Sequence, residues 1–137
     1  MRIGIVSSMH HAEKMREVME RLRAVGHDVF ASRWLEEFIG KGDEEKERLK
    51  LDKKYTRDAI RDFWNEMQGA DAILVVNFER HGVKDYIGGN TLMEIGFAHV
   101  LGQKIFFYNP IPDIPYYKSE LEAVKPVIIN GDLSLIR

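Results

Sequence analysis

The chain contains no cysteine, which excludes a disulfide scaffold and a cysteine nucleophile. Proline is scarce, four residues in 137, and three of the four fall between Pro110 and Pro115. No apolar run approaches the roughly 20 residues that span a bilayer. The opening Met1-Arg2-Ile3-Gly4-Ile5-Val6 is too short an apolar stretch for a secretion signal, so the chain reads as cytoplasmic, with no membrane partner. Neither sign of charge dominates: 20 Lys and Arg face 22 Asp and Glu, a formal net charge of -2. That balance argues against a binder of nucleic-acid polymers, which carries a basic excess. A small anionic ligand needs only a few local donors and stays open. Several site signatures are missing as well. There is no Gly-x-Ser-x-Gly elbow, no phosphate loop ending in Gly-Lys-Ser/Thr, and no Gly-x-Gly-x-x-Gly after the first apolar run. His10, His11, His27, His81 and His99 show no metal-ligand spacing, so neither a metal nor another cofactor is expected.

What is present is 45% hydrophobic residue in a length suited to one domain, taken as residues 1–137. Four apolar runs punctuate it: Ile3 to Val6, Ala72 to Val76, Ile105 to Tyr108 and Val127 to Ile129. None alternates with polar residues, which suits parallel strands covered on both faces. Asp28 to Ala31 is a weaker fifth strand. Helical spacing links Met15, Val18, Met19, Leu22 and Val25, with Gly26 where a C-terminal cap belongs. Ile60, Phe63, Trp64 and Met67 form a second stripe. Leu92 to Leu101 is a third helix, and Ser119 to Val124 a short fourth. Lys41 to Gln68 holds eight basic and eight acidic residues, which reads as a solvated helix face with a flexible lid as the alternative. The order predicts a three-layer α/β fold of flavodoxin or Rossmann type, with a five-stranded, mainly parallel sheet in order 2-1-3-4-5. Ligands in such sheets bind beyond the carboxyl ends of the strands. Those ends carry Ser7-Ser8-Met9-His10-His11, Ser32-Arg33-Trp34, Asn77-Phe78-Glu79-Arg80-His81 and Asn109.

The most informative stretch is Gly88-Gly89-Asn90-Thr91-Leu92-Met93-Glu94-Ile95-Gly96-Phe97-Ala98. Paired glycines leading into a helix expose amides that suit an anion or a sugar oxygen. Glu94 follows among apolar neighbours, and a carboxylate there needs a partner or a task. Two readings stand side by side. Thr91-x-x-Glu94 matches a capping box. Alternatively, a first-turn glutamate held ionised by the helix dipole is a nucleophile.

Met93-Glu94-Ile95-Gly96-Phe97-Ala98, then Gly102-Gln103-Lys104-Ile105, with Ala70-Asp71 opening the preceding strand, resembles the nucleoside 2-deoxyribosyltransferase superfamily. That superfamily includes related 5'-monophosphate N-glycosidases. The resemblance covers most of the chain and is densest from Asp71 to Tyr108. It implies that Glu94 attacks the anomeric carbon of a 2'-deoxynucleoside or its 5'-monophosphate and displaces the base. The glycosyl ester then passes the sugar to another base or to water. It implies a carboxylate that helps the base depart, with Asp62 nearest the expected place and Asp58 the alternative. It implies that Asp71 orders the strand entrance. Nucleoside-using members carry an acid six positions before the nucleophile, where this chain has Gly88. The monophosphate N-glycosidases lack that acid too, but their arginine-bearing, glycine-rich first loop is not found here. The expected substrate contacts are Ser7, Ser8, His10, Asn77, Gly88, Gly89 and Asn90. A homodimer or higher homo-oligomer is implied, with Trp34, Phe38, Phe78, Tyr116 and Tyr117 as candidates for its interface. The rival from another class is a nucleotide-binding module of the same fold without chemistry. A flavin protein is a weaker rival resting on sheet order.

Overall fold

The computed structural model describes residues 1–137. Five strands, β1 (Arg2–Val6), β2 (Asp28–Phe30), β3 (Ala72–Val75), β4 (Lys104–Phe107) and β5 (Val127–Ile128), form one all-parallel sheet in the order β2-β1-β3-β4-β5. The expected topology is borne out. No helix is long and apolar enough to cross a membrane.

The unbroken apolar runs are explained by burial on both sides. Side chains alternate between faces along a strand. Ile3 and Ile5 of β1, with Ala72 and Leu74 of β3, face α1 (Ala12–Ala24), which supplies Met15, Val18 and Leu22. Ile73 and Val75 face the other way, onto Phe63 and Met67 of α4 (Ala59–Met67), Ile95 and Ala98 of α5 (Gly89–Val100) and Leu121 of α6 (Lys118–Ala123). Gly4 admits the Phe30 ring: a Cβ there would lie 2.8 Å from it. Gly26, at φ +98°, turns the chain after α1 as expected. Gly96 does not let α5 approach the sheet. It lies on the exposed face with open space where a Cβ would stand, and Ala98 makes the close contact instead.

The charged stretch departs most from expectation. It is two helices, α3 (Asp43–Thr56) and α4, separated at Asp58, whose φ is +48°. A short α2 (Leu35–Phe38) precedes them, with Leu35 and Phe38 in the core. α3 is docked largely through charge, with Leu49 packed against the core. Lys46, 5% exposed, donates to both Glu13 carboxylate oxygens at 2.7 and 2.8 Å and to the His10 carbonyl at 3.1 Å. The His10 side chain, 3% exposed, lies between Asp43 (3.2 Å) and Glu47 (2.9 Å). Arg80 reaches Asp43 at 3.3 Å, and Lys53 reaches Glu37 at 3.0 Å.

These partners hold their carboxylates below the usual range. His10 and then Arg80 act on Asp43, and Lys50 and then His10 act on Glu47. Burial is the largest single effect on Glu13 and raises it, but the Lys46 hydrogen bond, the Glu13 and Gly40 amides and the Lys46 charge together outweigh it. A depressed carboxylate stabilises the fold above its ordinary pKa and loses that contribution as pH falls through the lowered value. The docking of α3 should therefore loosen below about pH 4. Amide exchange at pH 3 should show α3 deprotected well before β1 and β3. Equal retention in all three would contradict charge-based docking.

Candidate active site

The N-cap of α5 is Gly88, three residues earlier than a Thr91 capping box requires, so Thr91 lies inside the helix, 3% exposed. Its first amides have no side-chain cap. Glu94 therefore stands in the second turn, beyond the strongest reach of the helix dipole. Its carboxyl makes no hydrogen bond or ion pair with any side chain. Burial alone pushes it up to about 8, so the expectation of an ionised first-turn carboxylate is corrected. A carboxyl brought this far out of water with no partner costs stability, which is a common mark of a working group.

Glu94 lines a cleft at the carboxyl end of β1, beside Val6 and Ser7. The cleft is narrow, with a cavity volume of about 60 Å³, below the roughly 300–1,000 Å³ of open small-molecule sites. One end is apolar and aromatic, with Trp34, Phe38 and Phe63. α3 adds Lys50, Lys53 and Lys54 to the lining, with Lys53 against Trp34. No carboxylate other than Glu94 lines it.

A second hollow of about 160 Å³ adjoins the first and shares Lys50, Lys54 and Asn90 with it. Its wall holds His10, Arg80 and His81 together with Ser8, Gly88, Gly89 and Thr91, and no carboxylate lines it. Lys54 takes part in none of the ion pairs of the fold, unlike Lys50, which reaches Glu47 at 3.0 Å. The uncapped α5 amides open at its edge. Donors of this number around one hollow suit an anion.

The other expected site residues divide clearly. Ser7 lines the cleft, its hydroxyl donating to the Val76 carbonyl at 2.5 Å. Ser8, Gly88 and Gly89 line the basic hollow, and Asn90 lines both. His10 lines the hollow too, but both ring nitrogens are occupied by Asp43 and Glu47. It orients α3 rather than waiting for a ligand. Asn77 is corrected to a structural role. It is 1% exposed, donates to the carbonyls of Asn109 (3.0 Å) and Pro110 (2.9 Å), and accepts the Asn109 amide at 2.9 Å. It ties the end of β3 to the loop after β4 and lines neither cavity.

Asp62 is corrected as well. It pairs with Arg33 at 3.0 Å, away from the cleft. Its neighbour Glu66 is pushed up to about 7 by burial and by Asp62. Asp58 caps α4 by accepting the Arg61 amide and pairs with Arg61. Phe63 is the residue α4 turns into the cleft, and one helical position earlier points roughly 100° away. Asp71 accepts the Arg2 amide at 2.8 Å and so orders the strand entrance. Of the interface candidates, Phe38 is core and Trp34 lines the cleft. Phe78 packs on Tyr108, and Tyr117 donates to the Ile87 carbonyl. Tyr116 alone stands free, 92% exposed.

Sequence reasoning missed Lys50, Lys53 and Lys54 as site residues, and named Arg80 and His81 only within the strand-end segment Asn77 to His81. The three lysines did carry a signal, because positions i, i+3 and i+4 share a helix face. Compared with known proteins, the chain matches no family model, no curated protein and no solved structure.

Proposed function

We propose that this protein cleaves or transfers the N-glycosidic bond of a 2'-deoxynucleoside 5'-monophosphate, with Glu94 as nucleophile. The observation that carries the reading is one unpaired carboxyl in a half-apolar cleft that adjoins a carboxylate-free basic hollow. A nucleotide has the matching order: an apolar base, a sugar and an anion. The aromatic end takes the base, Glu94 faces the anomeric carbon, and Lys54, His81 and the α5 amides take the phosphate. The resemblance of Met93 to Ala98 to the deoxyribosyltransferase superfamily supports the same assignment. Missing the 2'-hydroxyl, a deoxyribose admits closer approach of the carboxylate and eases positive charge at the reacting carbon. Double displacement then proceeds through a glycosyl ester on Glu94, as in retaining glycosidases.

The test is chromatographic detection of free base from deoxynucleoside 5'-monophosphates and from the matching nucleosides. Release should favour the monophosphates by at least about 100-fold in kcat/KM, the order expected when buried charge pairs recognise the anion. Saturable binding of monophosphates with no base release and no sugar adduct on Glu94 would favour a binding module instead. The absence of a second carboxylate from the cleft is the observation on that side.

A further inference from the structure

We propose that Lys53 is the acid that protonates the departing base, in place of a carboxylic acid; this rests on the glycosidic reading above. Expulsion of a heterocyclic base as an anion is slow unless a donor neutralises it. Glu94 is committed as nucleophile, and no other Asp or Glu lines the cleft. The remaining proton donors there are Ser7, Ser32, Asn90 and the three α3 lysines. Ser7 is committed to the Val76 carbonyl. Lys50 and Lys54 stand at the junction with the basic hollow, where the anion belongs.

Lys53 is confined to the aromatic end. Its ammonium lies 5.6 Å from the centre of the Trp34 ring and 3.0 Å from Glu37, with the side chain 12% exposed. The carboxylate tether and the aromatic face fix an otherwise flexible chain beside the place a base would occupy.

The step balances within these groups. As a Glu94 oxygen bonds the anomeric carbon, the C–N bond breaks and its electron pair stays on the base. Lys53 gives one proton to a ring nitrogen or exocyclic oxygen of the base. The products are neutral base, a glycosyl ester on Glu94 and a neutral amine at Lys53. Water then attacks the anomeric carbon, Glu94 leaves as carboxylate, and the amine takes the proton released from water.

The experiment compares 2'-deoxyguanosine 5'-monophosphate with its 7-methylated form, whose base is already cationic and departs without a proton. Lys53→Met should lose about 100-fold in kcat on the ordinary substrate and less than about 5-fold on the methylated one. Glu94→Gln should lose activity on both. Lys53→Arg keeps the charge and the Glu37 contact but holds its proton too tightly to act as an acid, so it should stay near the Lys53→Met rate on the ordinary substrate. Equal losses of Lys53→Met on both substrates, or no loss on either, would overturn the assignment while leaving Glu94 chemistry intact. A wild-type protein that releases base from neither substrate would overturn both readings together.

Discussion

Glu94→Gln is expected to lower base release by at least about 1,000-fold while making the folded protein more stable at alkaline pH. Both effects come from one cause. The carboxyl is half-buried in the cleft wall with no cationic partner, and its neutral form is the one the fold prefers. Its pKa, about 8, lies above the ordinary 4.5. Below pH 4.5 the group is neutral whether the chain is folded or not, and its burial costs no ionisation penalty. As pH rises past that value the unfolded chain ionises first, and folding stability declines until both states are ionised above about 8. The loss is a few kcal/mol at full extent. Glutamine matches the shape and never ionises, so the variant should gain relative to wild type from about pH 5 upward and keep the full gain above 8. Denaturant unfolding at pH 5, 7 and 9 measures this. Catalysis depends on the opposite form. Only ionised Glu94 attacks, so wild-type kcat/KM should rise about tenfold per pH unit below 8 and then level off. A Gln variant that turns over at the wild-type rate would eliminate the nucleophile. A Gln variant without the alkaline stability gain would show that Glu94 is solvated in the folded protein.

The parts of this molecule that sequence revealed are those governed by local pattern. Ile73, Leu74 and Val75 read as a strand because a parallel sheet buries both faces, and the structure buries all three. Strand limits shifted by a single residue at most of their ends. Glu94 stood out because an acid among Leu92, Met93, Ile95 and Phe97 has no cheap solvated place. The failures share a different origin, since each depended on contacts distant in sequence. Lys46 looked like one charge among sixteen until α1 supplied Glu13, 33 residues away. Lys50, Lys53 and Lys54 form the same pattern as a wet helix face, and only the fold of α3 over β1 makes them a wall. Asn77 was a reasonable ligand by position, but the loop after β4 consumes its amide. Asp62 failed through helix phase: its neighbour Phe63 takes the inward position, leaving Asp62 to Arg33.

The substrate's anion makes a second large effect available at Gly88. Its backbone is extended, at φ -87° and ψ 175°, so any side chain fits the conformation. A Cβ there would lie 3.3 Å from the Tyr86 ring, a contact a slight shift of that ring relieves. Gly88 is also the N-cap of α5, where aspartate is a favoured residue. Gly88→Asp should therefore fold as well as wild type or better. In the hollow its effect is the reverse. The new carboxylate accepts from the very amides that would hold a phosphate, and it sets a negative charge beside an approaching dianion. Two such charges about 4–5 Å apart repel by several kcal/mol in a partly buried site. The kcat/KM for a deoxynucleoside 5'-monophosphate should fall about 1,000-fold, with less than a tenfold change for the uncharged nucleoside. Because only the charged substrate suffers, a folding defect cannot mimic the result. An equal fall for both substrates would leave their ratio unchanged and place the anion elsewhere, and no fall for either would remove the basic hollow from substrate recognition.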